Sequence, residues 1–212
     1  MSPTRPKSAK NPNRQRIVDV ARRLFYTKGY GQTSLGDLAK ECGIPKGNFY
    51  YHFRSKDDVL LAVLEARRTD VDKGLASWRA TIATPAKRLH RVVDMLINEE
   101  EDLAAFGCPM GSLITELGKG QPDLQREAFG VLQSIVDFAA EELIELGHPK
   151  KAAREQAVHL IGRCQGVAVM THGLGSKAVL RREAKAIRTW LNELLDQTTS
   201  SPTVSRKKEP VR

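Results

Sequence analysis

Apolar residues recur with a helical period along almost the whole chain, and that pattern limits its fold more than any other feature. Ile17, Val20, Ala21, Leu24 and Phe25 fall at i, i+3, i+4, i+7 and i+8, one continuous stripe on a helix. Runs rich in Val, Ile, Thr and Tyr are hard to find, and aromatic residues make up only 6% of the sequence. Ala, Leu, Glu, Arg and Lys dominate instead, which favours helices. The expected fold class is therefore all-α.

The punctuation divides this pattern into nine expected helices. The first runs from about Asn13 to Lys28 and stops at Gly29. Ser34 caps a short second helix, with Asp37 completing a capping box, and Gly43 ends it. A third starts near Pro45. Ser55 opens a long fourth helix to about residue 82, and Thr84-Pro85 opens a fifth to about residue 105. After the break at Gly107-Cys108-Pro109-Met110-Gly111 come helices to about Gly118, over 122–146, over 150–173 and over 177–197. Residues 1–12 read as a disordered basic arm and 199–212 as a disordered basic tail. Residues 13–60 and 61–198 read as two functional parts.

The net charge of +9 is unevenly placed. Residues 1–60 hold 12 Lys/Arg against 5 Asp/Glu, and 61–202 hold 18 against 19. A basic N-terminal part on a neutral body is the electrostatic footprint of a nucleic-acid binder. The three cysteines, Cys42, Cys108 and Cys164, form no zinc-type cluster and suit a reducing interior, so a cytoplasmic location is expected. The N-terminus has no apolar secretion signal, and no run of 18 apolar residues suggests a membrane span. No nucleotide loop, metal cluster or nucleophile arrangement is present, so neither enzyme activity nor a cofactor or metal is expected. The carboxylate run Glu99-Glu100-Glu101-Asp102 reads as a solvated helix face.

The most informative stretch is Thr33 to Lys56, TSLGDLAKECGIPKGNFYYHFRSK. Ala39 is small where two short helices would cross, and Gly43 sits in a turn where a left-handed backbone costs least. Leu38, Ile44 and Phe49 point to a core shared with Leu24 and Phe25. Such a pair is a helix-turn-helix, whose second helix enters the major groove. Lys46 can reach guanine or phosphate, Gly47 lets the backbone approach, and Asn48 can contact adenine with both amide atoms. Tyr50, Tyr51 and His52 can donate to phosphate. Adjacent Tyr50 and Tyr51 point about 100° apart on a helix, so at most one can be well buried. Thr33 and Ser34 offer hydroxyls and N–H groups at a helix start, and Lys56 can clamp the same strand.

The elements Phe25…Gly29-Tyr30, Thr33-Ser34, Ala39…Gly43-Ile44, Lys46 to Phe53 and Ser55-Lys56 together closely resemble the DNA-binding domain of the TetR family of repressors. The resemblance is strong over residues 14–65; beyond them only helix count and length agree. It implies a nine-helix fold, a homodimer on palindromic operator DNA and release by a small-molecule inducer. Asn48 and Phe49 depart from the family pattern, which commonly has a small or hydroxyl residue and a leucine there.

In the second part, Trp78, Phe106, Met110, Leu113, Phe138 and Met170 suit an apolar ligand, with Glu116 and His172 as polar contacts; each also fits a simple core. Two stripes suit a dimer: Val158, Ile161, Gly162 and Gln165, and Ile187, Trp190, Leu191 and Leu194. Either can equally be intrachain core. Pro109 places Cys108 at a helix N-cap, where a thiolate is favoured. Gly107 to Leu113 also resembles the GC-x-x-G-x-L segment of a TetR subgroup, some members of which sense electrophiles or oxidants there. The alternatives are a buried structural thiol for Cys108 and, for the protein, an architectural DNA binder whose core has no cavity.

Overall fold

The computed structural model describes residues 12–199, and the arm and tail expected at the two ends lie outside them except for their innermost residues. Ten helical segments follow one another: α1 (Pro12–Thr27), α2 (Leu35–Cys42), α3 (Lys46–His52), α4 (Lys56–Thr81), α5 (Pro85–Asn98), α6 (Glu100–Phe106), α7 (Pro109–Leu117), α8 (Pro122–Glu145), α9 (Lys150–Leu174) and α10 (Lys177–Thr199). There is no strand among the described residues.

The caps lie where the sequence placed them. Ser34 and Asp37 form a reciprocal capping box on α2, as do Ser55 and Asp58 on α4. Thr84 caps α5 ahead of Pro85, and Cys108 caps α7 ahead of Pro109. Gly43 ends α2 at φ 61°, a backbone conformation that an L side chain resists.

The one added break divides the expected fifth helix at Glu99 (φ −107°, ψ 15°). Four successive carboxylates in the middle of a helix repel one another. With the break, Glu100, Glu101 and Asp102 occupy the first turn of α6, where the helix dipole favours negative charge. Arg181 holds Glu100 at 2.5 Å and Lys177 holds Glu101 at 2.5 Å, which ties α6 to α10. The carboxylate run is thus a helix start as well as a solvated face.

Two hydrophobic cores result. The first joins α1–α4 to α7 and the first half of α8, through residues such as Ile17, Leu38, Phe49, Leu60, Leu117 and Ala128. The second joins α5, α6, α9 and α10 to the far ends of α4 and α8, through Leu89, Leu143, Leu160, Leu180 and Leu191. Val71 and Cys108 pack against both. Helices α4 and α8 run side by side in the same direction, with Arg68 facing Glu127 and Arg79 facing Glu141.

The second core contains a charged cluster. Glu142 is fully buried and accepts from Arg88 at 2.6 Å and from Arg79 at 2.9 Å. Arg88, itself buried, also donates to Glu145 at 2.9 Å and to the Ile82 carbonyl at 3.0 Å. Removing one member of a buried pair leaves the other charge without compensation. Glu142→Ala is therefore expected to cost about 3 kcal/mol of unfolding free energy in urea titration. A loss under about 1 kcal/mol would show that Glu145 suffices for Arg88.

Candidate nucleic-acid interface and core cavity

The N-terminal core presents α3 outward. Phe49 is buried and packs against Phe53, while Gly47 and Asn48 on the same short helix are exposed. Tyr50 is 54% exposed and Tyr51 82%, so neither ring is spent on the core. His52 is half-buried, edge-on to the Tyr51 ring at 5.2 Å. The α3 residue Lys46 begins the helix. A Cβ added at Gly47 would meet nothing within 4 Å, so packing within the chain does not require glycine there. A face of glycine, amide and phenol groups standing free on a short, well-anchored helix suits close approach to a groove and its phosphates.

Three of the expected contacts have partners within the chain. Thr33 is fully buried; its hydroxyl donates to the Gly29 carbonyl at 2.8 Å and its N–H to Tyr30. It holds the turn and cannot offer that hydroxyl outward. Ser34 spends its hydroxyl and its N–H on Asp37, and those bonds hold the Asp37 carboxyl below its usual range. A carboxylate therefore occupies the helix start where a phosphate was expected. Lys56 donates to the Tyr30 carbonyl at 2.9 Å and lies over the Tyr30 ring at 4.2 Å, so its charge braces the α1–α2 loop. The Tyr30 hydroxyl bonds Asp57, and burial together with that bond raises its pKa.

At the junction of the two cores lies a cavity of about 130 Å³. Its wall is mostly apolar, with Val71, Leu96, Leu103, Val131 and Ile135 among its residues, and it includes Arg67, Glu99, Cys108 and Gln165. Of the expected ligand contacts, Cys108 and Met110 line it. The others do not. Leu113 closes a narrow cleft between α1, α4 and α7. Trp78 and Phe138 pack edge-to-face at 6.0 Å deeper in the second core. Phe106 packs on Tyr26 at 5.4 Å. Met170 is exposed on the outer face of α9, and His172, also exposed, lies 3.2 Å from the Ala104 carbonyl. Helical period shows which side of a helix is apolar; it does not show which apolar side borders an empty space.

Glu116 has a different role from the one expected. Its carboxylate accepts from the Tyr30 N–H at 3.0 Å and the Gly31 N–H at 2.6 Å. Helix α7 thus has Cys108 at one end, in the cavity wall, and Glu116 at the other, on the α1–α2 loop. Tyr26 adds a second tie: its hydroxyl donates to the Gly107 carbonyl at 2.8 Å, and burial pushes its pKa up to about 12.

Comparison with known proteins gives the same picture. Residues 17–63 match the family described as bacterial regulatory proteins, tetR family, and residues 85–186 match the LmrA/YxaF-like transcriptional regulator C-terminal domain. The chain belongs to the TetR family of transcriptional regulators. This TetR-family chain is 25% identical over 158 residues to the HTH-type transcriptional regulator LmrA of Bacillus subtilis, covering 73% of this chain and 83% of that one. It is also 25% identical over 192 residues to AcrR of Shigella flexneri, covering 89% and 79%. A TetR regulator of Legionella pneumophila shares its fold with a TM-score of 0.74 at 18% identity, over 90% of this chain and 99% of that one. The reduced form of Escherichia coli NemR does so with 0.71 at 18%, over 84% and 96%. Membership makes this a DNA-binding regulator and not an enzyme.

The expected dimer stripes are divided between core and surface in this TetR-family chain. Ile161 and Gln165 line the cavity, and Ile187, Leu191 and Leu194 are buried in the second core. Val158 and Gly162 of the expected α9 stripe lie on its outward face, with Gly166, Val169 and Met170 beside them. Beside it, Trp190 of α10 is half-buried, stacked on His159 at 4.9 Å with Arg163 over its ring. Each of these helices is apolar on more than one side, and the chain's own core takes one of them. Among the described residues no helix is long and apolar enough to cross a membrane, and no cluster of His, Cys, Asp or Glu could hold a metal.

Gly47→Ala separates fold from function. Alanine is the better helix former by up to about 1 kcal/mol, so thermal stability should hold or rise. DNA affinity, read by fluorescence anisotropy, should fall; unchanged affinity would remove α3 from the interface. The thiols should differ as well. Burial pushes the Cys164 thiol up to about 12 and raises Cys42, while Cys108 is half-buried and accepts from the Gly111 N–H at 3.4 Å. Iodoacetamide on the native protein should therefore label Cys108 first by peptide mapping, and equal labelling of all three would contradict this geometry.

Proposed function

We propose that this chain is a dimeric repressor that holds a palindromic operator with two copies of α3 and releases it when a small, mostly apolar molecule enters the core cavity. The carrying observation is the cavity's position. It lies where the two cores meet, and α7 runs from its wall to the α1–α2 loop, which Glu116 grips by two N–H groups. A ligand that moves the start of α7 moves the support of the helix-turn-helix. By linkage, operator DNA must weaken ligand binding by the same factor. The cavity also weighs against an architectural DNA binder, for which a filled core is expected.

Dimerisation is assigned to the outer face of α9 with Trp190, because that surface is apolar, contains Gly162 and Gly166 and is not covered by the chain itself. Small residues allow close helix approach, and tryptophan is a common interface anchor. Such a regulator acts in the cytoplasm.

A second trigger is covalent modification of Cys108. The thiol lines the cavity and caps α7, so an adduct there would disturb the same helix.

Fragments of sheared genomic DNA selected on the purified protein should share one palindromic site, bound by two chains as judged by sedimentation. Val158→Asp should produce monomers and weaken operator binding. Weak binding with no preferred site would overturn the repressor reading. Release by thiol reagents that persists in Cys108→Ser would eliminate the covalent trigger.

A further inference from the structure

One lining residue indicates which kind of molecule the cavity takes, given the ligand-site reading above. Arg67 follows Leu60 and Leu64 and precedes Val71 on one stripe of α4, where the other three side chains are apolar. It borders both the cavity and the narrow cleft between α1, α4 and α7. The other two arginines of α4 are paired, Arg68 with Glu127 and Arg79 with Glu141 and Glu142. Across the cleft, Arg22 is paired with Asp70 at 2.5 Å. Arg67 has no hydrogen bond or ion pair among the described residues.

This is an unusual place for a cation without a hydrogen-bonding partner. Burial lowers the Arg67 pKa, yet a guanidinium keeps its charge under any ordinary condition. Glu99, the carboxylate in the cavity wall, attracts Arg67 from the exposed start of α6 without a hydrogen bond to it. Much of the remaining wall is hydrocarbon, and a charge taken from water without a partner is costly. A planar guanidinium facing such a space favours a ligand with a carboxylate, which it can bind by two parallel hydrogen bonds.

We infer that the ligand is a small organic acid, with its carboxylate on Arg67 and its apolar body among α5, α8 and α9. The volume of about 130 Å³ is close to that of a dry cavity known to accept benzene, so one ring or a short chain fits without rearrangement. Met95 and Met110 line the cavity and can yield to a somewhat larger body. A carboxylate on Arg67 would also lie at the edge of the cleft formed with α1, between the pocket and the helix-turn-helix.

The test compares 4-ethylbenzoate with its neutral analogue 4-ethylbenzyl alcohol, by calorimetry on the full chain at fixed salt. The acid should bind about ten-fold or more tightly than the alcohol, as hydrogen bonds to a charged group imply. Arg67→Gln should abolish that preference while leaving alcohol binding within about two-fold, and Arg67→Lys should retain part of it. The wild-type preference is informative even if a variant proves unstable. Equal binding of acid and alcohol, or a preference that survives in Arg67→Gln, overturns the inference and leaves the cavity reading intact. If neither compound binds or displaces the operator at millimolar concentration, both readings fall together.

Discussion

Helices α4 and α8 are each buried in both hydrophobic cores, and the placement of the other helices depends on that sharing. Val59 to Leu64 of α4 support the helix-turn-helix, and Leu75 of the same helix is sealed into the second core. Leu124 to Val131 and Val136 to Leu143 divide α8 in the same way. Two long helices cannot tilt at one end without disturbing packing at the other, because close-packed interiors transmit strain. The buried Glu142 cluster holds α4, α5 and α8 at the far end, where Arg79, Arg88 and Glu142 meet. The DNA-facing end is therefore supported by a frame whose other end is locked by charge.

Between those ends the frame is incomplete. The cavity lies where the two cores adjoin, and Val71 and Cys108 are the partly buried side chains that touch both. Helix α7 is short, begins in the cavity wall and ends with a carboxylate on two backbone N–H groups of the α1–α2 loop. Hydrogen bonds to a charged acceptor are each worth about 1.5–3 kcal/mol when shielded, so the Glu116 contact is strong enough to matter and weak enough to break. The same loop is braced from α4 by Lys56 and Asp57. Tyr30 is thus held from two sides, by α7 and by α4, both of which border the cavity.

Much of this was legible in the residue pattern because the governing physics is local. Ser34, Ser55, Thr84 and Cys108 announce helix starts through groups that bond within three residues of themselves. Gly43 announces a left-handed turn, and Phe49 declares itself as core by its spacing from Ile44 and Leu38. The break at Glu99 was legible in principle as four adjacent carboxylates, which favour a helix start over a helix middle. Arg67, a charge on an apolar stripe, was missed in the sequence, because its meaning depends on what it faces. The intrachain bonds of Thr33 and Lys56 were not legible, because they reach residues brought near only by folding of the loop.

The sequence by itself determined the all-α class, the helix ends and the helix-turn-helix, since these depend on period, caps and turn residues that act over a few positions. Only the tertiary structure decided which apolar stripe became core, which was left outward and where a space remained. Ile187 and Leu191 went inward and Val158 and Met170 outward, although all four follow helical spacing. Glu116 became a tie to Tyr30, 86 residues away, and not a pocket residue. Those outcomes depend on which helices meet, and a helix that is apolar on more than one side carries no local record of which neighbour it will find.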